Sequence, residues 1–226
     1  MSPHTPLHWQ AVPSPAHTPL DGQYVRLEPL DPARHGDDLW QALQGPDSDP
    51  ALWDYLPYGP FAERTAFDTW LAANAASADP LFFAVLDLSS QRAVGLLSFL
   101  RITPGDGCIE IGHIAFGRAM QRSPASTEAF YLLARLALGT LGYRRLEWKC
   151  NALNARSMRA AERLGFSYEG LFRQHMVVKG HNRDSAWFSI LDSEWPSCDA
   201  AFRRWLAADN FDAEGRQKQR LEALRK

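Results

Sequence analysis

The sequence is poor in cysteine, in net charge and in long apolar runs. Cys108, Cys150 and Cys198 are the only cysteines among 226 residues, widely spaced and odd in number. That excludes a disulfide scaffold and fits reduced thiols, so a cytoplasmic location is expected. No pair of cysteines or histidines has zinc-ligand spacing, and no metal site is expected. The formal net charge is −2, which offers no excess positive charge to a nucleic-acid backbone or an anionic membrane, so neither is an expected partner. Apolar runs such as AVGLLSFL are too short to cross a bilayer. The opening stretch MSPHTPLHWQAVPSPAHTPLDG has no basic region followed by an apolar core, which argues against a secretory signal.

What is present describes a folded domain. With 46% hydrophobic and 22% charged residues the chain can bury a real core. The prolines of residues 1–20, interspersed with His4, His8 and His17, predict an arm laid on the surface or partly disordered. YVRLEPL alternates as a strand. Asp31 then reads as an N-cap with Pro32 at the first helical position, and the helix runs to about Gln44 before Gly45. FAERTAFDTWLAANAA has helical spacing. LFFAVLDL, AVGLLSFLRI and CIEIGHIAF form a meander of strands. After the loop GRAMQRSPAS come an apolar helix, the strand RRLEWKC and the helix NARSMRAAERLGF. Two strands around the turn KGHNRD follow, and then a helical tail from Glu194 with Ser197 as a plausible cap. This order predicts an α/β (α+β) single domain, a mixed central sheet of about seven strands flanked by helices. An arm (1–20), a main domain (21–195) and a helical extension (196–226) are expected.

Two helix mouths carry candidate chemistry. The first N–H groups of a helix have no internal partner and favour anions. QRSPASTEA places Arg122, Ser123, Ser126 and Thr127 at such a mouth, where a hydroxyl cluster serves either as an N-cap or as an anion site. At the second mouth, CNALNARS, Asn154 can cap the helix or pair its amide with a peptide-like ligand, and Ser157 lies close enough to share that ligand. Gly165 fits a left-handed C-terminal position before Phe166 enters a strand. On local grounds Glu110, between Ile109 and Ile111, is a solvated strand residue, and Glu147 is its rival as a base. His113 and His175 read as ordinary hydrogen-bonded histidines. Cys150 lacks any base beside it in sequence. The aromatics Trp53, Tyr55, Tyr58, Phe61 and Trp70 read as packing.

These residues, taken in order, resemble the GNAT acyltransferase superfamily, and within it the group that acetylates N-terminal amines of ribosomal proteins. The resemblance runs from Tyr24 to Trp195. Asn154, Ser157, Leu164-Gly165-Phe166 and Glu169-Gly170 carry most of it, with STEA at the central helix and NRDSAWFSILDSEW near the end. It implies a GNAT-like domain that moves an acetyl group from acetyl-CoA to a primary amine, on a protein N-terminus or a small molecule, by direct attack in a ternary complex. The chain would act as a monomer or homodimer. Ile114, Ala115 and Phe116 would offer backbone groups to pantetheine. Gln121, Arg122, Ser123, Ala125, Ser126 and Thr127 would cradle the pyrophosphate, and Asn154 would bond the pantetheine arm. Ser157 would lie near the thioester sulfur as the acid. Glu110 would face the acceptor amine as the base, where two central strands splay. Two departures stand out: Pro124 and Ser126 replace the glycines of the phosphate loop, and Ala161 replaces a tyrosine acid of many relatives. Arg122 with the hydroxyls of Ser123, Ser126 and Thr127 is expected to substitute for the glycines. The other reading left open is a CoA-binding module without turnover.

Overall fold

A computed structural model describes residues 7–225; the start of the arm, including His4, and the final Lys226 lie outside the described residues. One eight-stranded sheet organises the chain. Its strands are β1 (Leu20–Asp21), β2 (Val25–Pro29), β3 (Leu81–Asp87), β4 (Arg92–Thr103), β5 (Cys108–Phe116), β6 (Arg145–Asn151), β7 (Ser167–Val178) and β8 (His181–Leu191). They lie in the order β1-β2-β3-β4-β5-β6-β8-β7. Every pair is antiparallel except β5 with β6. The strand beyond the expected seven is β1, a two-residue edge pair too short to show a period.

The helices are α1 (Pro32–Gln44), α2 (Arg64–Ala75), α3 (Pro124–Ala134), α4 (Ala155–Leu164), α5 (Trp195–Leu206) and the short α6 (Leu221–Leu224). Asp31 caps α1 as its sequence suggests, accepting from the amides of Ala33 and Arg34. Two boundaries differ from expectation. α5 starts at Trp195 with Pro196 in its first turn, so Ser197 lies inside the helix; a proline tolerated at a helix start fixed the boundary. The turn between β7 and β8 shrinks to Lys179–Gly180, because β8 already pairs from His181.

The sheet has two unlike faces. Alternation along β6 turns Leu146, Trp148 and Cys150 into the larger core, which α3 and α5 share with Phe130, Tyr143, Phe166 and Phe202. The opposite face carries a second core over β3 and β4, where α1 and α2 bury Phe82, Leu96, Trp53 and Phe67. Glu128 of α3 ties the first core to the sheet edge: its buried carboxylate accepts from the amides of Gln23, Tyr24 and Val25 at 2.6–2.9 Å. The described part of the arm lies along the sheet, with the indole of Trp9 donating to Gly105 O at 2.7 Å and the His17 ring 2.7 Å from Phe82 O.

Candidate active site

β5 and β6 pair only from Cys108–Arg145 to Glu110–Glu147. Beyond that register β5 stays with β4 and β6 stays with β8, so a gap opens between them. A bulge bends β5 at the same place. Leu96 pairs with Ala115 but Ser98 with Gly112, which leaves His113 in a left-handed conformation at φ 52°. The backbone of Ile114, Ala115 and Phe116 therefore borders the gap on the side away from β4.

α3 and α4 pack on the face of the larger core, α3 against β5 and α4 against β6. At α3 the helix starts at Pro124, and Ser123 is its cap. The hydroxyls proposed as phosphate donors are engaged locally: Ser123 Oγ donates to Met120 O at 2.6 Å and Ser126 Oγ to Ser123 O at 2.9 Å. Thr127 is buried and its Oγ1 accepts from Arg163 Nη1 at 3.1 Å. The left-handed turn that glycine would supply falls at Arg122, φ 58°, whose side chain is exposed beside exposed Gln121 and half-buried Ala125. At α4, Asn154 Oδ1 accepts from the amide of Ser157 at 3.0 Å, so the cap reading of Asn154 is realised. Gly165 ends the helix at φ 105°, with Phe166 N donating to Ala161 O; a side chain there would meet Cys198 Sγ at 2.9 Å.

Ser157 is held from β6. The indole of Trp148, clamped between Phe130 and Phe166, donates to Ser157 Oγ at 3.0 Å. One acceptor position of the hydroxyl is thereby filled, and its proton is the part left to donate, within hydrogen-bond reach of the Cys150 thiol. Burial raises the Cys150 thiol above its ordinary value, against the lowering effects of a hydrogen bond from Ser157 and the charge of Arg183. A protonated thiol is a poor nucleophile, in line with the absence of a base in its sequence neighbourhood.

Glu110 faces the other side of the sheet, only 4% exposed. Its Oε2 accepts from Arg101 Nε at 2.8 Å and Lys149 Nζ at 3.0 Å, and its Oε1 lies alongside Gly112. Lys149 also reaches Glu147 at 2.8 Å and sits 3.6 Å from the centre of the Trp187 ring. The two carboxylates that share this ammonium are shifted in opposite directions. Burial pushes Glu110 above the usual carboxylate range in spite of the charges of Lys149 and Arg101. Burial acts on Glu147 in the same sense, but hydrogen bonds from Lys149 and Arg145 outweigh it and hold that group low. Of the two, Glu110 is the better proton acceptor at neutral pH.

A bridge crosses above this face. Lys179 at the β7–β8 turn donates to Trp53 O at 2.7 Å, and Tyr55 OH donates to Leu153 O at 3.2 Å. Tyr58, stacked on His113, has its hydroxyl 2.9 Å from Nδ1. Burial raises Tyr58, and burial with the charges of Arg101 and Arg183 lowers His113 to about 4, so the tyrosine is the donor and the imidazole stays neutral. His175 rests on Ser185 Oγ at 2.9 Å. Of the aromatics read as packing, Trp53, Tyr58, Phe61 and Trp70 pack on one another and on the second core, whereas half-buried Tyr55 reaches across to Leu153 O; Tyr58, on His113, also borders the bulged stretch of β5.

Trp148, Lys149, Arg101 and Arg183 were not singled out by sequence. Alternation in LEWKC was a usable signal for Glu147 and Lys149 sharing a face. Arg101 carried none: it sits at φ 48° where the β4–β5 register shifts between Leu100 and Thr103, and such a bulge cannot be read from a period-two pattern.

The family model for the acetyltransferase (GNAT) domain matches residues 25–167. The crystal structure of a GCN5-related N-acetyltransferase from Brucella melitensis is 48% identical with a TM-score of 0.94, over 96% of this chain and 98% of that one. N-acetyltransferase p20 of Bacillus licheniformis, itself uncharacterized, is 28% identical over 151 residues, 66% of this chain and 84% of the relative. A ribosomal L7/L12 alpha-N-protein acetyltransferase, at 18% identity and a TM-score of 0.63 over 80% of this chain and 99% of that one, shares the fold. With its strands parting at the site and its two helix mouths beside them, the chain belongs to the GNAT acetyltransferase family.

Proposed function

We propose that the protein transfers an acetyl group from acetyl-CoA to a primary amine, with both reactants bound together. The observation that carries this reading is the parting of β5 from β6, with Ser157 on one side of the sheet and Glu110 on the other. The residues present fit a CoA thioester. The β5 edge at Ile114, Ala115 and Phe116 suits the pantetheine amides, and the Asn154 side chain suits the same arm. The mouth of α3, with Gln121, Arg122, Ser123, Ala125, Ser126 and Thr127, suits the pyrophosphate. Acetyl-CoA would supply the activated carbonyl.

The chain's own groups do the rest. Glu110 takes a proton from the acceptor's ammonium, directly or through water, because a protonated amine cannot attack. Backbone N–H groups of β5 stabilise the negative charge that develops on oxygen. The Ser157 hydroxyl, oriented by Trp148, gives its proton to the departing sulfur and is restored by the second proton that the nitrogen sheds as the amide forms. Holding both partners side by side removes much of the entropic barrier. The catalytic domain would span 21–195, with the arm (1–20) before it in the chain and the extension (196–226) after it, whose helix α5 packs into the larger core. With its three free thiols, the enzyme would work in the cytoplasm, as a monomer or homodimer.

One observation favours a CoA-binding module without turnover. Pro124 has no N–H, and the Ser123 and Ser126 hydroxyls are turned onto the loop's own backbone. Thiol release from acetyl-CoA, measured against a panel of peptide and small-molecule amines, decides between them. Amine-dependent release with an acetylated product supports the enzyme. Saturable CoA binding with no release against any amine supports the module.

A further inference from the structure

The acceptor side of the sheet carries three cations, two of which bond one carboxylate. Arg101 and Lys149 both bond Glu110 Oε2. Arg183, half-buried on β8, donates through Nε to Ser185 Oγ at 3.2 Å and forms no ion pair among the described residues. Alternation along β8 sends Ala186, Phe188 and Ile190 into the larger core, so Arg183 and Ser185 lie on the opposite, acceptor face, where His175 shares Ser185 Oγ at 2.9 Å. Glu147 cannot balance Arg183, being held by Lys149 and Arg145. The wall therefore has a surplus of positive charge beside the proposed base. A guanidinium whose terminal nitrogens lack a carboxylate partner is suited to bind one in a two-pronged manner. An open cavity of about 550 Å³ lined by Arg173 and Gln174 lies at the β7 bulge between Phe172 and Met176, whose partners on β8 are Ser185 and Arg183.

We infer that the acceptor carries a carboxylate close to its amine, and that Arg183 binds that carboxylate while Glu110 faces the amine. This rests on the acetyltransferase reading and narrows it. Two sources share the chemistry: the α-carboxylate of a free amino acid, and an acidic side chain near a peptide N-terminus. A polyamine would meet the same surplus as repulsion.

The test compares matched acceptors with acetyl-CoA, each rate taken per unprotonated amine. One arm sets phenylalanine against phenylalaninamide. The other sets a pentapeptide with Glu at its second position against the same peptide with Gln. In at least one arm the carboxylate member should have the higher kcat/KM, by about ten- to a hundredfold and mainly through KM, as expected for a charge-assisted pair. The arm that shows the preference identifies the source. Arg183→Gln should bring that ratio close to one, and Arg183→Lys should retain part of it, with thermal melting checking that both variants fold. Equal or better transfer to the neutral member in both arms overturns the inference and leaves the acetyltransferase reading standing, as does a ratio unchanged in Arg183→Gln. No transfer to any amine overturns both.

Discussion

The mouths of α3 and α4 and the wall around Glu110 border the same gap but are built by different means. The mouths are local. Ser123 caps α3 and Asn154 caps α4 with partners three residues along the chain, and what they present to a ligand is largely backbone. The wall is assembled from a distance: Arg101, Glu110, Lys149 and Arg183 come from β4, β5, β6 and β8. A backbone-built site tolerates sequence change, which is why a loop with Pro124 in place of glycine still forms a helix mouth with a left-handed turn at Arg122. The centre of the wall has less tolerance, because Lys149 is shared by Glu110 and Glu147 and its removal takes a partner from both.

The contrast is open to direct attack, beginning with the largest expected effect. Lys149→Met leaves buried Glu110 and half-buried Glu147 without their common ammonium. The expected loss is about 3–5 kcal/mol of stability, read by denaturant unfolding. A change under about 1 kcal/mol, the size expected of an exposed pair, would mean that the wall is no more exacting than the mouths.

A second effect is set by pH. The folded chain holds His113 at about 4, whereas in the unfolded chain it takes the ordinary value of 6.5. Between those values the unfolded state binds a proton that the folded state refuses. Stability therefore rises with pH across this window and is lost as pH falls through it, at about 1.4 kcal/mol per unit. Asn tolerates a left-handed position and can still accept from Tyr58. His113→Asn should therefore flatten the stability profile between pH 4 and 6.5 relative to the original protein. Parallel profiles would remove His113 as the cause.

The smallest effect belongs to the mouths. Asn154→Ala should cost about 1 kcal/mol as a lost cap and should also weaken CoA binding if the amide serves the pantetheine arm. Thermal melting and calorimetry with CoA separate the two. A lowered melting point with unchanged CoA affinity would leave Asn154 a cap only.

The same contrast explains what the sequence disclosed. Asp31 before Pro32, Asn154 before Ser157 and Gly165 before Phe166 announce helix ends within a few residues, and the alternation of CIEIGHIAF and RLEWKC announces strands. Those signals were enough for the element order and the two helix mouths. The parting of β5 from β6, the left-handed Arg101 and His113, and the meeting of Lys149 and Arg101 with Glu110 depend on register between strands remote in sequence. A period-two pattern says which face a residue takes, not which residue it meets there. Glu110 was therefore placed at the acceptor by family resemblance, while its partners Lys149 and Arg101 came only with the fold.

The most direct measurement pairs turnover with CoA binding in Glu110→Gln and Ser157→Ala. Each should bind CoA with the affinity of the original protein. Glu110→Gln should lose turnover by roughly a hundred- to ten-thousandfold, most steeply at low pH where few acceptor amines are already neutral, and Ser157→Ala by about ten- to a thousandfold, as expected for a lost base and a lost acid. Turnover unchanged in both variants, or no CoA binding by the original protein at millimolar concentration, would contradict an acetyl transfer carried out between these two side chains.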